Sequence, residues 1–205
     1  MLTFDDGYGD FYTAGLPVIK QNGFTGTLFQ TTGWVGKEDE AQRMLNWREL
    51  AEVAEAGIEI GAHTIKHPQL DLLPEAALRE ELGVSKRELE EHLGFAVPGL
   101  AYPFGYSSPK VREVAREFGY TYAYAVGNDF TTSAAEKFTF PRLTVGRATT
   151  LDEFREMANG KDTPTVRRSR IMSKGFSLVR RGAQTVGLAR QPAWYREADA
   201  SSTPS

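Results

Sequence analysis

NWRELAEVAEAGIEIGAHTIKHP, residues 46–68, holds a helix, a turn, a strand and a reactive loop in that order. Asn46 is a helix cap and Glu49, three residues on, is its capping-box partner, so a helix from Trp47 to Ala56 is expected. Gly57 ends it, and the apolar run Ile58 to Ala62 reads as a strand. His63 follows the strand at once. Trp47 starts the helix, so core packing is its expected role.

The same order recurs along the chain. Met1 to Phe4 reads as the end of a strand, Asp10 to Asn22 as a helix ended by Gly23, and Thr25 to Gln30 as a strand. Pro74 suits the first turn of a long helix reaching Leu93, with a break expected near Gly83 and Gly94 after it. Gly99 to Tyr102 is strand-like. Ser108-Pro109 opens a helix that stops at Gly119, and strands are expected over Thr121 to Val126 and Arg142 to Val145. Thr150 with Glu153 forms a second capping box and starts a helix ending near Gly160. Four helices thus end in glycine just before an apolar strand (Gly23, Gly57, Gly94, Gly119), which argues for an α/β domain with mainly parallel strands over residues 1–160. In such folds chemistry collects on the loops after the carboxyl ends of strands.

Three candidate sites lie at such positions. Thr3-Phe4-Asp5-Asp6-Gly7 puts two adjacent carboxylates after the first strand, an arrangement that costs repulsion unless a cation or a proton relieves it. Asp-Gly is also a common turn pair. His63-Thr64-Ile65-Lys66-His67-Pro68 places two of the chain's three histidines at i, i+4, on one face of a single helical turn that Pro68 ends. Neutral imidazole is a common ligand for zinc and similar metals. Ala101-Tyr102-Pro103-Phe104-Gly105 is, alone, a turn beside an aromatic patch.

Together the three resemble the motifs of the polysaccharide deacetylases, the NodB-homology or carbohydrate esterase family four proteins. That family runs T-F-D-D-G, H-[ST]-x-x-H and R-x-P-[FY]-G in order; this chain has TFDDG at 3–7, HTIKH at 63–67 and AYPFG at 101–105. The resemblance covers roughly residues 1 to 160. It implies a distorted (β/α) barrel, and with so few residues before TFDDG the first strand is expected to be truncated. It implies Asp5 as general base, Asp6, His63 and His67 as ligands of a divalent metal, usually zinc with cobalt or nickel as alternatives, and the Phe104 backbone N–H as an oxyanion donor. The reaction implied is removal of acetyl groups from N-acetylated sugar polymers or glycan intermediates. One carboxylate and two imidazoles leave an open position for water, whose pKa the metal lowers.

Three departures stand out. Ala101 occupies the position of the family's arginine that braces the base, and Arg142 is the candidate replacement. No histidine follows His92, so the family's general-acid histidine is missing; His92 itself is expected on a solvated, charged helix face. Asp5 returning its proton, or Asp129, are the alternative proton sources. Members of the family begin earlier, so upstream sequence is expected to be missing. The sequence leaves the compartment open: as written it reads as cytoplasmic, and a missing leader or anchor would make it a cell-envelope or secreted protein.

Trp34, Tyr102, Pro103 and Tyr106, with Phe104, are the expected sugar contacts, since aromatic faces stack on sugar rings. The totals fit a soluble globular protein: 205 residues, 40% hydrophobic and 25% charged, with no cysteine and so no disulfide, thiolate nucleophile or cysteine-metal site. No apolar run is long enough to span a bilayer. Residues 161–205 carry a net charge of +6 against −9 for the body. This basic extension, with Arg167-Arg168 and Arg180-Arg181, is expected to dock on the acidic body. It lacks the interleaved aromatics of a nucleic-acid platform, and two glycines weaken the helix expected over Ser177 to Leu188 as a membrane-surface element. Ala198 to Ser205 is expected to be disordered. Competing readings are a hydrolase of a small amide or imide, a non-catalytic carbohydrate-binding relative, and an iron oxygenase with the same ligand set. A deep closed pocket would favour the small amide.

Overall fold

A computed structural model describes residues 1–38, 42–126 and 137–171; Asp129 and the extension beyond residue 171 lie outside it. The strands are β1 (Leu2–Asp6), β2 (Gly26–Gln30), β3 (Glu59–Ala62), β4 (Gly99–Ala101), β5 (Tyr122–Val126) and β6 (Phe140–Arg142). All neighbours pair in parallel, and their spatial order is their chain order, β1 to β6. That sequential order is the order of a barrel wall and lacks the switch point of a doubly wound sheet. The six strands form the curved half-barrel of a (β/α) barrel.

A π-helical turn (Phe11–Gly15) runs into α1 (Leu16–Gln21); α2 (Trp47–Glu55), α3 (Glu75–Leu93), α4 (Pro109–Glu117) and α5 (Leu151–Ala158) follow. Both capping boxes form, Asn46 with Glu49 and Thr150 with Glu153. The four helix-ending glycines all adopt left-handed backbone, with φ of 65, 90, 76 and 79°. Residues 164–171 form a further helix, α6, and Thr163 and Val166 are buried at its start.

Two expectations need correction. α3 is unbroken at Gly83, because the absent side chain lets the Phe118 ring lie against the helix; a Cβ there would meet it at 2.5 Å. The sixth strand ends at Arg142, where the sequence suggested it would begin, and Val145 is exposed. Pro141 fits the observed placement, since β6 pairs with β5 on one side and a proline is tolerated at a sheet edge.

Alternation along the strands sorts two layers. Leu28, Ile60, Leu100 and Ala123 face the helices with Leu50, Val53, Leu78, Leu82, Val111 and Val114, forming the main core. Thr3, Asp5, Phe29, Gly61, Tyr124 and Arg142 alternate with them toward the barrel interior. Gly61 is required there, because a Cβ would lie 2.4 Å from the Phe29 ring. At the lower end Glu59 accepts from Thr27 (3.0 Å) and Tyr122 (2.5 Å), a contact that links β2, β3 and β5. No helix among the described residues is long and apolar enough to cross a membrane.

Candidate active site

The carboxyl ends of β1, β3, β4 and β6 bring the residues of interest together. Asp6 ends β1 in left-handed backbone (φ 74°) and Gly7 continues the turn. The Gln30 side chain fills the space that a side chain at Gly7 would need and donates to the Asp6 carbonyl (3.1 Å). The tight turn therefore aims the Asp6 carboxylate inward beside Asp5.

His63 and His67 follow β3. Nε2 of each lies 3.5 Å from Asp6 Oδ1, and one ligand atom from each of the three residues falls within 4.8 Å of the others. His63 is buried, and its Nδ1 sits 2.8 Å from the Ala101 carbonyl, an acceptor only. Nδ1 therefore donates to that carbonyl, which turns Nε2 toward Asp6. Burial, and the neighbouring His63, push His67 down to about 3, so it is neutral at ordinary pH.

Asp6 Oδ1 is buried and has no hydrogen-bond partner. Burial, and repulsion from Asp5, hold the Asp6 carboxyl above its usual value. A buried carboxylate oxygen facing two imidazole nitrogens, without a donor, is the environment a cation relieves. The residues present therefore fit a divalent metal.

Asp5 behaves differently. Burial would raise it, but the combined pull of His63 and Arg142 holds it below the usual carboxylate range. Arg142, at the end of β6, makes a two-pronged contact at 2.6 and 2.7 Å and also donates to Thr3 (3.2 Å). Its guanidinium lies over the Phe29 and Tyr124 rings, at 5.7 and 5.8 Å, so packing sets its direction. The same contact ties the two edge strands of the sheet together across the barrel. Ala101 leaves the family's usual arginine position empty, and Arg142 delivers a guanidinium to Asp5 from another strand.

Phe104 has φ of 57° in the turn Pro103–Gly105. The neighbouring N–H groups of Gly105 and Tyr106 donate to Tyr102 and Pro103 within the turn. Pro103 has none, so the Phe104 N–H is the one not committed to the turn. Around it the rings of Trp34, His67, Phe104 and Tyr106 form a strip, with successive centroids 5.5, 4.8 and 6.4 Å apart.

Tyr102 and Pro103, expected as sugar contacts, are buried. Tyr102 points from the end of β4 toward the helix layer, packs in the core and donates to the Phe138 carbonyl (3.1 Å). Strand alternation explains this, since neighbouring residues take opposite faces. Trp47 packs on the core as expected, and His92, exposed on α3, stacks on it at 3.8 Å.

Two contacts escaped the sequence reading. The Tyr8 hydroxyl lies beside the Asp6 carboxylate and favours its ionised form. Glu81, in the middle of α3, accepts the N–H groups of Ile65 (2.8 Å) and Lys66 (3.0 Å), the residues between the two histidines. A tyrosine just past the turn was visible as a neighbour of the acidic pair. Glu81 sits among many glutamates on a charged helix, and nothing in the sequence singles it out.

Comparisons with known proteins agree with this geometry. The Bacillus subtilis protein YxkH is 31% identical over 120 residues, 58% of this chain and 42% of that one. A poly-β-1,6-N-acetyl-D-glucosamine N-deacetylase of Staphylococcus aureus is 25% identical over 154 residues, covering 70% of this chain and 53% of its own length. The chain thus spans about half the length of these curated relatives. Among solved structures, IcaB from Ammonifex degensii superposes with a TM-score of 0.69 at 26% identity, over 78% of this chain and 71% of that one. The family model described as polysaccharide deacetylase matches residues 1–123, which include all three motifs, and the chain belongs to the polysaccharide deacetylase family.

Proposed function

We propose that this chain removes N-acetyl groups from acetylated amino-sugar polymers or glycan intermediates, using a divalent cation held by Asp6, His63 and His67. The observation that carries the reading is the juxtaposition of an unpaired, buried Asp6 Oδ1 between two imidazoles with an Asp5 carboxylate braced by Arg142. Zinc suits one carboxylate and two imidazoles, and cobalt or nickel accept the same donors. The cation supplies Lewis acidity toward water and toward the acyl carbonyl.

The protein's own residues do the rest. Asp5 takes the proton of the attacking water, while Arg142 keeps the carboxylate ionised and aimed. The Phe104 N–H donates to the developing oxyanion. Asp5 then returns the proton to the leaving nitrogen. The new C–O bond forms, the C–N bond breaks, and acetate and a free amine leave.

The shape supports a polymer over a small enclosed amide. The Asp5 side chain is 31% exposed and Phe104 38% exposed, so the reacting groups open onto a surface. The strip of Trp34, Phe104 and Tyr106 offers aromatic faces to sugar rings beside them. The name of the Staphylococcus aureus relative makes β-1,6-linked N-acetylglucosamine polymer the first substrate to try. Purified protein should release acetate from that polymer or from chitin oligomers, lose the activity on chelation and regain it with zinc. Turnover that survives exhaustive chelation would overturn the reading.

A further inference from the structure

We propose that Glu81 is a positioning residue that sets the shape of the His63–His67 loop before any cation arrives; the inference rests on the metal-centre reading above. The loop is unusual backbone. Thr64 and His67 both hold left-handed φ, 69 and 56°, with Ile65 and Lys66 between them. For non-glycine residues such backbone is costly and persists only where surrounding contacts impose it.

Those contacts come from two sides. On the β2 side, Thr32 and Gly33 donate N–H bonds to the Thr64 and Ile65 carbonyls (3.0 and 2.9 Å), and the Thr31 hydroxyl donates to the His63 carbonyl (3.3 Å). They hold the loop's oxygens. Its amides are held differently. His67 N–H donates to the Thr64 hydroxyl (3.0 Å), and both Ile65 and Lys66 converge on one atom, Glu81 Oε2.

Glu81 is only 4% exposed, and burial pushes its carboxyl up despite the two N–H donors. A glutamate there is costly, and its two N–H donors and the nearby Lys66 charge offset only part of that cost. Its one evident service is to collect two peptide N–H groups that lie between the histidines. Moving that oxygen would let both peptides rotate and change the separation of the two imidazoles. A preformed ligand geometry raises metal affinity, and contacts just outside the ligands are typically worth about 10–100-fold.

Because both bonds end on one oxygen, reach and charge can be separated. Glu81→Gln keeps the reach and an acceptor oxygen but loses the charge. Glu81→Asp keeps the charge but is one methylene too short. Zinc affinity is measured by chelator competition, and hydrogen exchange of the Ile65 and Lys66 amides by NMR on zinc-free protein. The expected result is near-wild-type zinc affinity and slow exchange for Glu81→Gln. For Glu81→Asp the expectation is roughly 10–100-fold weaker zinc binding and faster exchange at those two amides. Equal behaviour of the two variants, or the opposite ranking, would overturn the proposal. If wild type itself takes up no zinc, the metal-centre reading fails. The exchange rates then decide Glu81 alone: acceleration in Glu81→Asp only supports its role, and no acceleration overturns it.

Discussion

The two ends of the same sheet solve the same backbone problem in opposite ways. At the amino ends of the strands, where helices turn back into the sheet, the left-handed positions are glycines such as Gly57 and Gly94. At the carboxyl ends Gly7 and Gly105 have company: Asp6, Thr64, His67 and Phe104, the non-glycine residues of positive φ among the described residues, all lie there. An L-residue in that region costs about 1–2 kcal/mol, which glycine avoids. One end is therefore built for connection, and the other retains side chains at a cost because chemistry needs them. Hydrogen bonding follows the same division: the exposed Glu59 at the lower end is met by two donors, whereas the buried Asp6 Oδ1 at the upper end has none.

Breaking the upper end should have the largest effect. In the double variant His63→Ala/His67→Ala, zinc content by elemental analysis should fall from stoichiometric to background, and acetate release with it. Full zinc content in that variant would move the metal centre elsewhere. Asp5→Asn should separate the chemistry from the binding. Zinc should stay, while the rate of acetate release falls by about 10²–10⁴-fold, the usual worth of a positioned base. Arg142→Lys is a finer cut. It keeps the charge and loses the two-pronged fork, and loss of one charge-assisted bond predicts a drop of roughly tenfold in kcat with zinc affinity unchanged. A variant as active as wild type would show that the brace on Asp5 is dispensable.

The smallest effect belongs to the lower end. A Cβ at Gly94 would meet nothing within 4 Å, so Gly94→Ala tests backbone conformation alone. It should cost about 1–2 kcal/mol and lower Tm by a few degrees, leaving zinc content and turnover untouched. A comparable loss of activity in that variant would erase the division between the two ends.

What the sequence revealed follows the same line. Helix ends were legible because capping boxes and C-terminal glycines act locally, and Asn46, Thr150, Gly57 and Gly94 do what such residues do in isolation. The Asp6–His63–His67 cluster was legible because TFDDG and HTIKH each group their polar side chains within five residues. Contacts between distant segments were less so. Arg142 could be nominated as a replacement for the arginine missing at Ala101, but its two-pronged hold on Asp5 depends on β6 reaching across to β1. Tyr102 was misread by one position of strand alternation, which turns a groove residue into a core residue. Glu81 was invisible, because its role depends on which face of α3 meets the loop.

The most direct test of the metal centre is a zinc-soaked crystal examined for anomalous scattering at the zinc edge. The account predicts one strong peak between Asp6, His63 and His67, about 2.0–2.2 Å from Nε2 of each histidine and from a carboxylate oxygen of Asp6. No peak there, or a peak held by other residues, would contradict it.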